Sequence, residues 1–144
     1  MANTRLLFVY GTLMSTARAA MGTGERARLD GVSRVVGPAR VAGHLFDLGA
    51  YPGLVVKVAG GGGSGFVDGE LRELHDEGAV FSWLDRYEGI DPIAPDDSEY
   101  RRELRKAWLT ASGTEQHDAL MAWVYIYQGP LDSAHLIASG RWPG

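Results

Sequence analysis

Leu6-Leu7-Phe8-Val9-Tyr10-Gly11-Thr12-Leu13-Met14 runs an apolar segment straight into a Tyr-Gly-Thr-Leu turn. The run Leu6 to Tyr10 reads as a buried strand. The turn after it can aim several backbone N–H groups at one point, which makes a cradle for an anion or oxyanion without any cationic side chain. A short helix is expected over Ser15 to Met21, capped by Ser15 or Thr16 and ended by Gly22-Thr23-Gly24. A strand that feeds such a cradle needs a facing acid or base before it can do chemistry.

The segments downstream are mostly strands. Arg26 to Val36 is ambiguous. Residues 39 to 48 alternate like a strand, Tyr51-Pro52-Gly53 has turn chemistry, and Leu54 to Val58 has high β propensity. Gly60 to Gly65 spells the letters of a dinucleotide-binding G-x-G-x-x-G, with Asp85 about twenty residues on. The segment after it, Phe66 to Leu71, reads as a strand and not as a helix opening, so the glycines are assigned to a flexible connection. Asp76 to Glu88 reads as a helix, with Val80, Phe81, Leu84 and Tyr87 on one face, Asp76 as N-cap and Gly89 just past its end. Ile90 to Asp97 is an acidic, proline-bearing loop. Strands follow at Tyr100 to Leu109 and Ala119 to Tyr127, joined through Ser112-Gly113-Thr114, and a last short helix is expected over Leu131 to Ser139. Short loops between the central strands make them antiparallel neighbours. The fold expected is α+β, a small mixed, mainly antiparallel β-barrel with flanking helices, formed by a single domain over residues 1–144.

Composition narrows the chemistry. With 144 residues and 45% hydrophobic content the chain can bury a sizeable core. A net charge of −4 argues against a nucleic-acid or anionic-membrane partner. The one dense basic group, Arg101, Arg102, Arg105 and Lys106, is interleaved with Glu99 and Glu103. The chain has no cysteine, which excludes thiol catalysis and cysteine-ligated zinc. His44, His75, His117 and His135 have no metal-ligand spacing, and no metal or cofactor is expected. No signal peptide and no membrane-spanning run is read, so a cytoplasmic location is expected. Ser15 and Ser64 lack a nucleophile elbow. Trp83, Trp108, Trp123 and Trp142 are assigned to packing.

Glu88 is the candidate acid or base. It stands at a helix C-terminus, where the helix dipole disfavours a carboxylate and raises its pKa, and burial beside Tyr87 acts in the same direction. A raised carboxyl pKa suits proton transfer near neutral pH. The same position also suits an ordinary solvated acid, and spacing does not separate the two. Asp68 and Glu70, two apart on a strand, are second candidates that an exposed face would explain equally well.

Several motifs, taken in order, resemble those of the γ-glutamylcyclotransferase-like (AIG2-like) superfamily. They are Tyr10-Gly11-Thr12-Leu13, the stretch from Gly43 to Val55, Val67-Asp68-Gly69-Glu70-Leu71, Leu84-Asp85-Arg86-Tyr87-Glu88-Gly89, Tyr100-Arg101-Arg102 and Gly140-Arg141-Trp142. Arg141 stands where that superfamily commonly has an acid. The resemblance implies a small β-barrel with flanking helices. It implies that the backbone of Tyr10, Gly11, Thr12 and Leu13 holds the glutamyl end of a small-molecule γ-glutamyl substrate, that Glu88 is the acid/base and that Tyr100 lines the pocket. It further implies release of 5-oxoproline by attack of the substrate's own α-amine on its γ-carbonyl, with no enzyme nucleophile. Two other readings stay open at this point: a non-catalytic module that binds a small carboxylate metabolite, and an amide-processing hydrolase or acyltransferase.

Overall fold

The computed structural model describes residues 4–11, 23–49, 51–56, 65–90, 93, 98–110, 119–131, 134–137 and 139–142. Among these described residues, eight strands and two helices occur in the order β1 (Leu6–Val9), α1 (Thr23–Val32), β2 (Ser33–Ala42), β3 (His44–Asp47), β4 (Pro52–Val55), β5 (Phe66–Leu74), α2 (Glu77–Tyr87), β6 (Tyr100–Leu109), β7 (Leu120–Tyr127) and β8 (His135–Ile137). The sheet order is β1-β5-β2-β6-β7-β4-β3-β8, and β1 also pairs with β7. That extra pairing closes β1, β5, β2, β6 and β7 into a five-stranded barrel, with β4, β3 and β8 as an extension. Within the barrel only the β1–β7 pair is parallel, and β4 joins β7 in parallel as well.

Strict alternation builds two cores from the same strands. Phe8 and Tyr10 of β1 and its exit point into the barrel with Ala122, Val124 and Ile126 of β7. Leu7 and Val9 point outward with Tyr125 and Tyr127, and are covered by Val80, Phe81 and Leu84 of α2 and Leu29 of α1. Burying each of these large side chains is worth about 1.5–3 kcal/mol. The apolar face of α2 therefore fixes the helix against the outside of the closure strands, and its C-terminal end against the top of β1 and β7.

The ends of α2 follow the sequence expectation. Asp76 Oδ1 accepts from the Ala79 N–H at 3.1 Å. Asp76→Ala should cost about 1 kcal/mol, measured by urea unfolding, with no change in the pocket. At the other end the Ile90 N–H reaches Asp85 O at 2.9 Å, the Gly89 N–H reaches Arg86 O at 3.1 Å, and Gly89 has φ +80°. This is a Schellman stop, and the left-handed backbone at Gly89 favours glycine.

Several expectations are corrected. Leu131 to Ser139 does not supply a helix: its described part includes β8, which pairs with β3 through Leu45↔Ile137, Phe46↔Leu136 and Asp47↔His135. A short helix is marginal by itself, whereas the open edge of β3 offers backbone partners. Pro52 and Gly53 are not in a turn but in β4, opposite Asp47 and Phe46. The turn lies one step earlier, closed by the Leu48 N–H on Tyr51 O at 3.0 Å, and Pro52 takes the first strand position, a place that tolerates proline. Residues 39–48 form two strands broken at Gly43, not one. Thr23 and Gly24 begin α1 where a helix end was expected. Only Leu29 of that helix is fully buried, so its sequence carries little helical periodicity. The helix expected over Ser15 to Met21, the Ser112-Gly113-Thr114 turn and most of the Gly60 to Gly65 connection lie outside the described residues.

Candidate active site

The site grows from a fork in the sheet. On one edge of β7, β1 pairs at Trp123 and Val124, while β4 takes over at Ile126. Between these pairings, beside Tyr125, β1 has ended and β4 has only begun. The Tyr10 hydroxyl fills that gap: it donates to Tyr125 O at 2.7 Å and accepts from the Leu54 N–H at 3.2 Å. Past it, Gly11 runs so close to β4 that a Cβ there would lie 2.8 Å from the Pro52 ring. Glycine lets the chain pass at this point and leaves bare backbone at the edge of a pocket.

That pocket opens over the fork. Tyr10, Gly11 and Pro52 line its floor side, Glu88 comes from the end of α2, and Glu99 and Tyr100 come from the start of β6. Tyr51, Tyr87 and Tyr125 complete its aromatic wall. The lining contains two carboxylates and no Lys, Arg or His among the described residues. Tyr100 donates its hydroxyl to Pro52 O at 2.8 Å, and so braces the mouth of β4. Glu99 is tied to the same rim. Its carboxylate accepts from the Tyr51 hydroxyl, its backbone N–H reaches toward Gly89 O at 3.4 Å, and its carbonyl accepts from the Gln128 N–H at 3.0 Å.

The electrostatics single out Glu88. Burial, then the Glu99 and Asp85 carboxylates, push it from 4.5 up to about 8. The dominant cause is thus burial, followed by two like charges, and not the helix end expected from the sequence. The hydrogen bond to Glu99 raises Tyr51 to about 12. Burial raises Tyr10, Tyr100 and Tyr125 well above the ordinary phenol value. These phenols therefore stay neutral and serve as hydrogen-bond groups, while Glu88 can exchange a proton near neutral pH.

Tyr10, Gly11, Glu88 and Tyr100, each named from sequence, converge on this one pocket. Thr12 and Leu13 lie outside the described residues. The Tyr10 side chain is committed to the backbone of the fork, so the residue's own hydroxyl is already used. Asp68 and Glu70 line no part of the pocket. Asp68 pairs with Arg141 at 3.1 Å, and buried Glu70 pairs with Arg72 at 3.2 Å. Glu99 and Tyr51 were not singled out for the site. From sequence, Glu99 reads with Asp96 and Asp97 as acids that could favour a cationic amine, although a solvated acidic segment explains them more readily, and Tyr51 is hidden in an apparent Tyr-Pro-Gly turn. A signal for Glu99 lay in its position directly before the pocket strand residue Tyr100. Among the described residues no three His, Cys, Asp or Glu side chains gather as a metal cluster. Nor is any described helix long and apolar enough to cross a membrane.

Comparison with known proteins gives the site a context. The family model described as gamma-glutamyl cyclotransferase, AIG2-like, matches residues 7–144. The chain is 36% identical over 139 residues to a Vibrio cholerae protein that bears the gamma-glutamylcyclotransferase name, covering 95% of this chain and 94% of that one. It is 34% identical over 99 residues to the gamma-glutamylcyclotransferase family protein YtfP of Escherichia coli strain K12, covering 69% of this chain and 66% of the relative's length. The solution structure of ytfP from Escherichia coli superposes with a TM-score of 0.57 at 27% identity and covers 96% of each chain. The crystal structure of an aig2-like protein from Mus musculus has the same fold, with a TM-score of 0.59 at 19% identity over 87% of this chain and 78% of that one.

Proposed function

The chain belongs to the AIG2-like gamma-glutamyl cyclotransferase family, and from that premise we propose that it releases 5-oxoproline from a small γ-glutamyl amide. The observation that carries this reading is the position of Glu88, a carboxyl raised to about 8, in one pocket that Gly11 also lines. In the proposed reaction the substrate's α-amine attacks its own γ-carbonyl. A C–N bond forms to close the five-membered ring, and the original amide C–N bond breaks. Glu88 accepts the proton from the attacking amine and delivers it to the departing one. Backbone N–H groups of the Tyr10 to Leu13 segment would hold the α-carboxylate or the developing oxyanion. Holding a flexible γ-glutamyl chain folded supplies most of the remaining acceleration, since proximity in well-oriented systems is worth several kcal/mol.

The substrate arrives with its α-amine protonated, so ionised Glu88 first takes one proton to free the attacking lone pair, passes it to the departing nitrogen, and then relays the second proton shed on ring closure to the released amine. An ammonium beside Glu88 favours the ionised carboxylate and draws its pKa back down. An acidic, aromatic pocket suits such a cation. The test is a panel of γ-glutamyl amides with mass-spectrometric detection of product. 5-Oxoproline supports the proposal, free glutamate would replace it with hydrolysis, and binding without any product would reduce the site to a binding module.

Glu99 gives a second handle on the same chemistry. Its charge is among the causes that raise Glu88, so Glu99→Gln should lower the pH at which turnover reaches half its maximum. A pH–rate profile of kcat/KM checks the sign: the midpoint moves to lower pH.

A further inference from the structure

Behind the pocket, and outside its lining, Asp85 sits one helical turn before Glu88 on α2. Its carboxylate accepts three hydrogen bonds from two residues, one on β6 and one on β7. Arg102 of β6 grips it with two bonds, Nε to Oδ1 at 2.8 Å and Nη2 to Oδ2 at 3.1 Å. The Tyr125 hydroxyl of β7 donates to Oδ1 at 2.6 Å. Asp85 is also tied through its backbone, because its carbonyl accepts the Ile90 N–H that closes the helix end around Glu88. Arg102 in turn lies against two rings, 3.8 Å from the centre of Phe81 and 4.6 Å from that of Trp123. Both ions of the pair are about three-quarters covered. A two-pronged guanidinium–carboxylate bond wedged between aromatic rings has one geometry, unlike a flexible surface pair.

We propose that Asp85 and Arg102 are positioning residues for Glu88: the pair clamps the last turn of α2 to β6 and β7, and sets the charge behind the proposed proton carrier. The proposal rests on the reading of Glu88 as that carrier, but it concerns the carboxyl's environment and can be tested without turnover. Two physical consequences follow. Tyr125, which lines the pocket and bonds to Asp85, connects the clamp to the pocket wall. The net charge behind Glu88 is also a balance: Asp85 pushes the Glu88 proton affinity up, and Arg102 compensates Asp85. The other charge acting on Glu88 is Glu99 at the start of β6; Tyr10, Tyr51, Tyr100 and Tyr125 feel the Glu88 charge in turn and stay neutral.

The experiment is a titration of Glu88 itself by 13C NMR on glutamate-labelled protein, with Glu88→Gln used to assign the resonance. Asp85→Asn removes a negative charge and should lower the Glu88 midpoint. Arg102→Gln exposes the Asp85 charge and should raise it. Each change is expected to be about three- to tenfold in proton affinity, and the double variant should fall between the two. Opposite shifts are a signature that simple loss of packing does not produce. Should Arg102→Gln fail to fold, Arg102→Lys keeps the charge without the fork and should hold the midpoint near that of the wild type. Shifts in the same direction, or none in folded variants, would overturn the proposal, as would a Lys variant that shifts as Gln is expected to. Opposite shifts in a protein that releases no 5-oxoproline would leave the clamp standing and remove the cyclotransferase reading instead.

Discussion

Glu88→Gln is expected to lower kcat by about a hundred- to ten-thousandfold, the range of a lost general acid–base, while the protein stays folded. The amide keeps the shape of the carboxyl and removes its exchangeable proton. Wild-type kcat/KM should rise with pH toward about 8 as Glu88 in the free protein ionises. The same substitution has a second, opposite consequence for stability. A carboxyl that holds its proton to about 8 in the folded protein, against an ordinary 4.5, favours the fold while protonated. That contribution is fully present below the ordinary value and is lost as pH rises through the folded one. Between about pH 5 and about pH 9 the wild type should therefore lose stability relative to Glu88→Gln, which has no such proton to lose. Calorimetry of both proteins across that range checks it. A Tm difference that does not move with pH would contradict the buried-carboxyl account, whatever the kinetics show.

Tyr10→Phe should be the costliest conservative change at the site, at about 2–4 kcal/mol of folding stability. The ring would still fit the barrel interior. The loss comes from two backbone groups, the Leu54 N–H and the Tyr125 carbonyl, left without the hydroxyl that now bridges them. Urea unfolding measures the cost. If the penalty were only a few tenths of a kcal/mol, the hydroxyl would not be pinning the fork, and Tyr10 would be better explained as a ligand contact.

What the sequence made legible was local and repetitive. Strands β1 and β7 could be read because they are continuous apolar and aromatic runs, and α2 because Val80, Phe81 and Leu84 recur at helical spacing between a recognisable cap and a glycine stop. Glu88 could be named because it abuts that stop. The structure rewrites the reasons more than the residues. Burial and Glu99 raise Glu88, and Glu99 comes near because its backbone meets Gly89 at the helix end, a relation no spacing encodes. Segment β8 was missed because three residues become a strand only when the edge of β3 lies beside them. Helix α1 was missed because one buried leucine makes no pattern. Tyr51 was missed because Tyr-Pro-Gly reads as a turn wherever a turn of any kind is near.

The fork that shapes the pocket also orders the birth of the molecule. Strand β7 is bordered by β6, β1 and β4, and the Tyr10 hydroxyl closes onto a carbonyl 115 residues further along the chain. Contacts at such separation form late, after the loop entropy between them has been overcome. A nascent chain that has not yet made Leu120 to Tyr127 can pair β1 with β5 and β2 with β5, but it leaves β1 and β4 with open edges where β7 will lie. Until that strand arrives those edges are exposed to wrong partners. The proposed catalytic pocket then comes into being in the same step that protects the chain from aggregation, so an active molecule is also one whose most vulnerable edges have been closed.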